Sequence, residues 1–421
     1  MRTTPQFRRF QSGVARATMR MLLAAGTVAL AACSPPATPA RTPASPQHAT
    51  APVSAAEIRE LDIAYFTARA DRDPTGGSDL ARLGALYLGR ARESGDPRDA
   101  LLAEQVARRS LKNRPERNGQ AAQVLQSSLL AQHRFDEALR LAIAVRDAEP
   151  ENAVLQAAVG EIQMELGQYD SARVSFSRVH ASLGDPAVAP RLARWAELQG
   201  EPDKARRLLH AALVTVQHLP EVPLEQRAWY WLRVGDVELR SGNFLAADSA
   251  YRSGLAVDKD DYRLLSAVAH SALLQKRWQR AITFGERAIG ATLDPATLGT
   301  LSDAYAALGD SAKSAEYARV LDVVVLKQPG AYHRAWSLFL LDHDRHVAIV
   351  SRKIREEMRT RKDVYAWDLL AWSLHKQGRN AEAAKAMTRA LSQGTRDPQL
   401  VRHAAAIEQA LGRGTLSAGQ P

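Results

Sequence analysis

The sequence predicts an all-α chain folded as an α-solenoid of eight to nine helix pairs. Three observations carry this reading. A small residue recurs at Ala103, Ala138, Ala172, Ala205, Ala247, Ala281, Ser314, Ala348 and Ala383, at intervals of 33 to 35 residues with one of 42. Five glycines (Gly167, Gly200, Gly242, Gly309 and Gly378) each stand five residues ahead of a member of that series. Aromatic residues make up 6% of the 421 positions against 46% hydrophobic overall, which suits Ala- and Leu-rich helix interfaces better than a β-sandwich core.

Taken in order, the N-terminus reads as an address. Residues 1–32 hold Arg2, Arg8, Arg9, Arg16 and Arg20 and no acid, then the apolar run Met21 to Ala32. Twelve such residues are too few to cross about 30 Å of hydrocarbon and suit the core of a signal peptide. The run closes on Leu30-Ala31-Ala32-Cys33, and Cys33 is the only cysteine of the chain. This resembles the lipobox of bacterial lipoproteins, which implies cleavage before Cys33 and its lipidation. Phe10 after Arg8-Arg9 departs from the twin-arginine pattern and points to general secretion. Ser34, in place of an Asp, points to the outer membrane facing the periplasm rather than the inner membrane.

Residues 33–54 follow as a tether. Six prolines among positions 34–54 prevent a packed core and give a semi-extended spacer of at most about 65 Å. Residues 55–78 are read as an N-terminal capping helix, 79–393 as the repeat solenoid, and 394–421 as a closing helix with a frayed tail. Terminal units of a solenoid must turn a polar face outward, which is what the flanking helices supply.

The unit is legible in residues 154–179. Leu155, Val159, Ile162 and Leu166 follow helical spacing, Gly167-Gln168-Tyr169 supplies a break, and Ala172, Phe176 and Val179 mark a second helix. A glycine suits the left-handed residue after a helix, and a small residue at 172 lets two antiparallel helices approach. The pattern is similar to the tetratricopeptide repeat. Trp231 and Trp367 match its tryptophan, and Leu125, Leu301 and Leu370 its leucine. Gly160 and Gly235 match its glycine, Tyr305 its tyrosine, Phe176 and Tyr251 its aromatic, and Pro150 its proline. The resemblance implies a right-handed superhelix. Departures are an insertion around Leu219–Pro223, a lengthened turn at Gly95–Pro97, Ser311 in place of an aromatic, and no signature glycine after Leu340.

Charge narrows the function classes. The formal total is +10, yet residues 1–32 contribute +5, residues 33–350 contribute −1 and residues 351–421 contribute +6. A near-neutral middle excludes the uniformly basic face that tracks a phosphate backbone, so no nucleic-acid partner is expected. No Gly-Lys-Ser/Thr phosphate loop, His-Glu-x-x-His or Gly-x-Ser-x-Gly is present, and the repeats leave no room for a catalytic domain. The chain is therefore read as a non-enzyme with no catalytic residues, no cofactor and no metal. His343 and His346 beside Asp342 and Asp344 pair at helical spacing, and a polar helix–loop edge replacing the missing glycine turn outweighs a metal site.

What remains is the concave face. In the tetratricopeptide family the second, fifth, ninth and twelfth positions of each first helix line the ligand groove. Mapped here, they give Trp229, Asp236, Arg263, His270, Asp303, His333, Tyr365, Asp368, Trp372 and His375. In the first half they give Val154, Ala157, Met164, Glu161 and Arg194. Trp229 and Trp372 also suit packing against a neighbouring repeat. The Lys/Asn carboxylate clamp of chaperone-binding relatives is absent. The basic run Arg352, Lys353, Arg355, Arg359, Arg361 and Lys362 reads as a solvated face partly paired with Glu356 and Glu357, or as a contact for an anionic surface. The expectation is a lipid-anchored periplasmic scaffold or adaptor binding a protein or peptide in envelope assembly or secretion. Its organisation resembles that of pilotins, outer-membrane assembly lipoproteins and exopolysaccharide-secretion scaffolds. The alternatives are a carbohydrate-binding or enzyme-accessory module of a polysaccharide secretion system, and a structural spacer without a ligand.

Overall fold

A computed structural model describes residues 55–326 and 334–412; Cys33, its tether and His333 lie outside the described residues. Among the described residues the chain forms twenty α-helices and no strand. Helix α1 (Ala55–Arg72) stands alone and is followed by nine helix pairs. Pairs 1 to 3 are α2/α3 (Gly77–Ser94, Pro97–Asn113), α4/α5 (Gly119–Ala131, Phe135–Ala148) and α6/α7 (Ala153–Glu165, Tyr169–Ser177). Pairs 4 to 6 are α8/α9 (Ala189–Leu198, Pro202–Gln217), α10/α11 (Leu224–Arg240, Phe244–Val257) and α12/α13 (Tyr262–Leu274, Trp278–Ala291). Pairs 7 to 9 are α14/α15 (Pro295–Ala307, Ser311–Leu326), α16/α17 (Arg334–Asp342, Val347–Glu357) and α18/α19 (Val364–His375, Asn380–Ala390), and α20 (Pro398–Ala410) closes the series.

Local chemistry sets these boundaries. Asn152, Asp261, Asp294, Asp363 and Asp397 each accept a backbone N–H of the helix they precede, satisfying donors that a first turn leaves open. The five spaced glycines all adopt positive φ, between 73° and 83°, at the turn inside a pair. At His133 and Lys276 the same turn is made without glycine, at φ 57° and 58°. Ala103, Ala138, Ala172, Ala205, Ala247, Ala281 and Ala383 are completely buried between the helices they join. Pair 8 departs from the series. Its turn runs 343–346, with Asp344 and His346 taking the left-handed conformation in place of glycine. The longer turn shifts the phase, so Ala348 is exposed and Ser351, three residues on, is the buried small residue.

A solenoid is ordinarily held by nearest-neighbour contacts alone. This one gains a second set, because its superhelix comes round far enough to touch itself. The turn inside pair 1 meets the link after pair 6, where Thr292 donates its hydroxyl to the Ser94 carbonyl, 198 residues away. The turn inside pair 3 meets the link between pairs 8 and 9. There the Lys362 N–H donates to the Leu166 carbonyl at 3.3 Å, and the Val364 N–H donates to the Tyr169 hydroxyl at 2.7 Å across 195 residues. The turn inside pair 4 meets the link after pair 9, with Gln199 donating to Gln393 at 3.2 Å across 194 residues. Among the described residues the rule holds for pairs 1, 3 and 4: the turn inside each rests on the link that follows the fifth pair after it. Apolar packing follows the same register, since Met164, Phe176, Trp195 and Leu198 share one core with Val364, Ala371, Leu374, Leu400 and Ile407.

Candidate functional site

The closure turns the concave face into a lumen, and the first helix of each pair decides what faces it. Asp236 on α10, His270 on α12 and Tyr365 on α18, all expected in the groove, line one cavity of about 640 Å³. Asp236 is held in place by the Tyr251 hydroxyl at 3.1 Å and by Arg233 at 2.9 Å. His270 has an exposed edge but is ringed by the lumen wall. That burial holds its imidazole below its ordinary range against the opposing pull of Asp236. Tyr365 carries the Arg334 guanidinium 4.7 Å from its ring centroid and the Arg194 guanidinium at 5.8 Å.

Other expected positions are engaged within the fold. Arg263 is locked at the start of α12 by Asp261 and by Glu225, the latter at 3.0 Å. Asp303 pairs with His343 Nε2 at 2.9 Å. Trp229 is half-buried and meets Tyr230 edge-on at 5.0 Å. Ala157 and Met164 are buried in the core, and Arg194 binds Glu165 at 2.8 Å. Glu161 pairs with Arg191 at 2.7 Å.

The end of the groove is occupied by the chain itself. Asp368 is fully buried and accepts from His403 Nδ1 of α20 at 2.7 Å, with Arg334 at 3.4 Å. Trp372 lies flat against the His403 ring, centroids 4.1 Å apart and planes 5° apart, and donates its indole N–H to Asp342 at 2.8 Å. His375 stacks against the Trp372 indole, centroids 4.9 Å apart, and bonds Asn380 at 2.8 Å. Asp368 and Trp372, read from sequence as partner-binding, hold the closing helix instead.

Mapping by helix position gave Arg194 but missed the other arginines. Arg194, Arg240, Arg334, Arg361 and Arg402 all face the same cavity. Arg240 on α10 binds Glu197 at 2.6 Å. Glu165 is half-buried, and desolvation alone would raise its pKa, but Arg194 and Arg361 beside it hold its carboxyl below the usual range. Arg361 was expected on an exposed basic face. It is buried, salt-bridged to Asp363, to Glu357 at 3.5 Å and to Glu165 at 4.0 Å, so it belongs to the self-contact between turns. Arg352, Lys353, Arg355, Arg359 and Lys362 do remain exposed, Lys353 lying 4.8 Å over the Trp336 ring. A basic residue beside a first-helix turn that meets another turn was the usable signal, but only the closed superhelix shows which turns meet.

His343 and His346 do not converge with a third ligand. Among the described residues no group of three or more His, Cys, Asp or Glu side chains is placed to hold a metal ion. The His343 ring bonds the Phe339 carbonyl through Nδ1 at 2.8 Å and Asp303 through Nε2, the arrangement of an imidazolium donating from both nitrogens. Among the described residues no helix is long and apolar enough to cross a membrane.

Three stretches match sequence families of the tetratricopeptide repeat: residues 129–194, 234–296 and 366–402. No curated protein matches the chain significantly in sequence. Among solved structures, the APC/C hetero-tetramer Cut9-Hcn1 contains a chain similar to this one with a TM-score of 0.51 and 17% identity. The match covers 84% of this chain and 59% of that one, so this chain spans less than two thirds of its length. PilW, a type IV pilus biogenesis factor, is similar over 51% of this chain and 95% of its own, at 18% identity and a TM-score of 0.41. At such identities the likeness to Cut9-Hcn1 speaks to the fold alone, a solenoid of tetratricopeptide repeats.

Proposed function

We propose that this tetratricopeptide-repeat solenoid is a lipid-anchored scaffold of the bacterial envelope that binds a protein partner in its lumen. The observation that carries the reading is the convergence of Asp236, His270 and Tyr365, from three different helix pairs, on one open cavity of about 640 Å³. A site assembled from several rigid helices presents fixed polar groups to one ligand, as a binding module requires. The anchoring half of the proposal rests on the Arg-rich leader, the apolar run ending at Cys33 and the Pro-rich spacer. The spacer holds the repeats away from the bilayer at a distance the tether sets. Two acyl signals on one cysteine give firm attachment where a single chain does not.

A photo-crosslinking residue placed at His270 tests the lumen, with the same residue at Leu245 on α11, 81% exposed on the outer helix layer, as the comparison. A discrete protein adduct from position 270 and none from 245 is the expected outcome in intact cells. Equal labelling from both, or none from either, overturns the lumen as the binding face. For the anchor, Cys33→Ser is expected to abolish palmitate incorporation and release the chain from the membrane fraction; unchanged membrane association refutes it.

A further inference from the structure

The charge balance of the lumen identifies what kind of partner segment fits. Four of its five arginines are held from behind by carboxylates of the wall: Arg194 by Glu165, Arg240 by Glu197, Arg334 by Asp368, and Arg361 by Asp363 and Glu357. The two carboxylates that face the cavity are already engaged. Asp236 accepts from Tyr251 and Arg233, and Asp397 caps α20 by accepting the Gln399 N–H at 2.9 Å. Arg402 is exposed on α20, faces His270 across the cavity, and makes no hydrogen bond or ion pair. The Nε–H of Arg334 is buried without a hydrogen-bond partner. One unanswered positive charge, Arg402, therefore faces a space large enough for a ligand, beside the paired guanidinium of Arg334.

The space is elongated rather than round. A second cavity of about 450 Å³ continues from the first and shares Arg240, Tyr365 and Asp397 with it. The lining of the first cavity is mixed, with Leu239, Phe244 and Leu274 between the charges. The ring that a sugar would stack on, Tyr365, already carries two guanidiniums. An extended chain with carboxylates and small apolar groups suits this channel better than a carbohydrate does.

We infer that the lumen receives an acidic peptide segment, whose carboxylates are bound by Arg402, beside Arg334 on the same cavity wall. The inference rests on the scaffold reading above and narrows its partner. It differs from the clamp of chaperone-binding relatives, because the donors come from the closing helix and from pairs on successive turns rather than from adjacent repeats.

The test uses the full-length chain in neutral detergent and a fluorescein-labelled peptide of alternating Glu and Ser, with a Lys–Ser peptide as control. Binding of the acidic peptide that weakens as salt rises, with no binding of the basic one, is expected. Arg402→Glu is expected to weaken it about tenfold or more, the loss of one charge-assisted contact, and Arg402→Gln less. Arg352→Glu, on the outer basic face, is expected to leave it unchanged. Because Arg402 is exposed and unpaired, neither substitution at 402 removes a contact the fold uses. Equal affinity for both peptides, or an Arg402→Glu protein that binds as tightly as the parent, overturns the inference. So does binding of an oligogalacturonate with none of the peptide. A position-270 adduct that persists without acidic-peptide binding sinks only this inference; loss of the adduct sinks the scaffold reading with it.

Discussion

The turns inside pairs 3 and 4 and the turns inside pairs 7 and 9 are built from the same glycine conformation, yet they do different things. Gly309 and Gly378 have φ of 83° and 74°, and a Cβ added at either would meet nothing within 4 Å. Gly167 and Gly200 have φ of 78° and 73°, but a Cβ there would overlap the carbonyl oxygens of Lys362 and Gly394 respectively. In pairs 7 and 9 glycine answers only to the backbone's handedness. In pairs 3 and 4 it also makes room for the next turn of the superhelix. One sequence mark thus serves two physical demands, and only the second holds the lumen shut.

Substitutions can pull the two demands apart. The double variant Gly167→Ala/Gly200→Ala is expected to lose about 3 kcal/mol or more, since each site suffers left-handed strain plus displacement of a carbonyl. It is also expected to swell, which small-angle scattering reads as a larger radius of gyration; an unchanged radius would reduce the closure to an incidental contact. Arg361→Ala strikes the same seam by leaving Asp363 buried without its partner, and a loss of about 3 kcal/mol is expected in denaturant melts. Gly309→Ala is expected to cost only about 1 kcal/mol with no change in radius, because it meets handedness alone. Lys276→Gly tests that term in reverse: an exposed lysine held at φ 58° is relieved of strain, and a gain of up to about 1 kcal/mol is expected in thermal melts.

The smallest effect is a pH dependence in pair 8. The hydrogen bond to Asp303 raises the His343 pKa above its ordinary value, against partial burial. A raised folded-state pKa gives stability that is complete below the unfolded value, about 6.5, and fades as pH rises through the folded one. Both side chains are more than a third exposed, so solvent screens the pair to a few tenths of a kcal/mol. The parent is expected to exceed Asp303→Asn in melting temperature at mildly acidic pH and to match it at alkaline pH. A constant gap across that range would show that the contact is not an ion pair.

The helix pairs were legible because their causes are local. A left-handed turn favours glycine, a close helix crossing favours alanine, and the two recur in phase. Ala348 misled because the pair 8 turn substitutes Asp344 and His346 for glycine and shifts the register by three residues. Asp236, His270 and Tyr365 were found from helix position. Asp368 and Trp372 stand at groove positions of α18, but the closing helix α20 lies over that end of the groove and engages both through His403. Apart from Arg194, the arginine lumen was beyond local reasoning, because contacts across 194 to 198 residues arise from small rotations accumulated over five pairs.

That accumulation fixes a number. Repeat arrays commonly grow and shrink by whole units, since each unit touches only its neighbours. Here a pair added or deleted between Gln199 and Thr292 would part all three of these turns from the links they rest on. The count of pairs in one revolution is therefore constrained as tightly as any single side chain. Duplication, the ordinary way such proteins change length, is open to this one only beyond the seam.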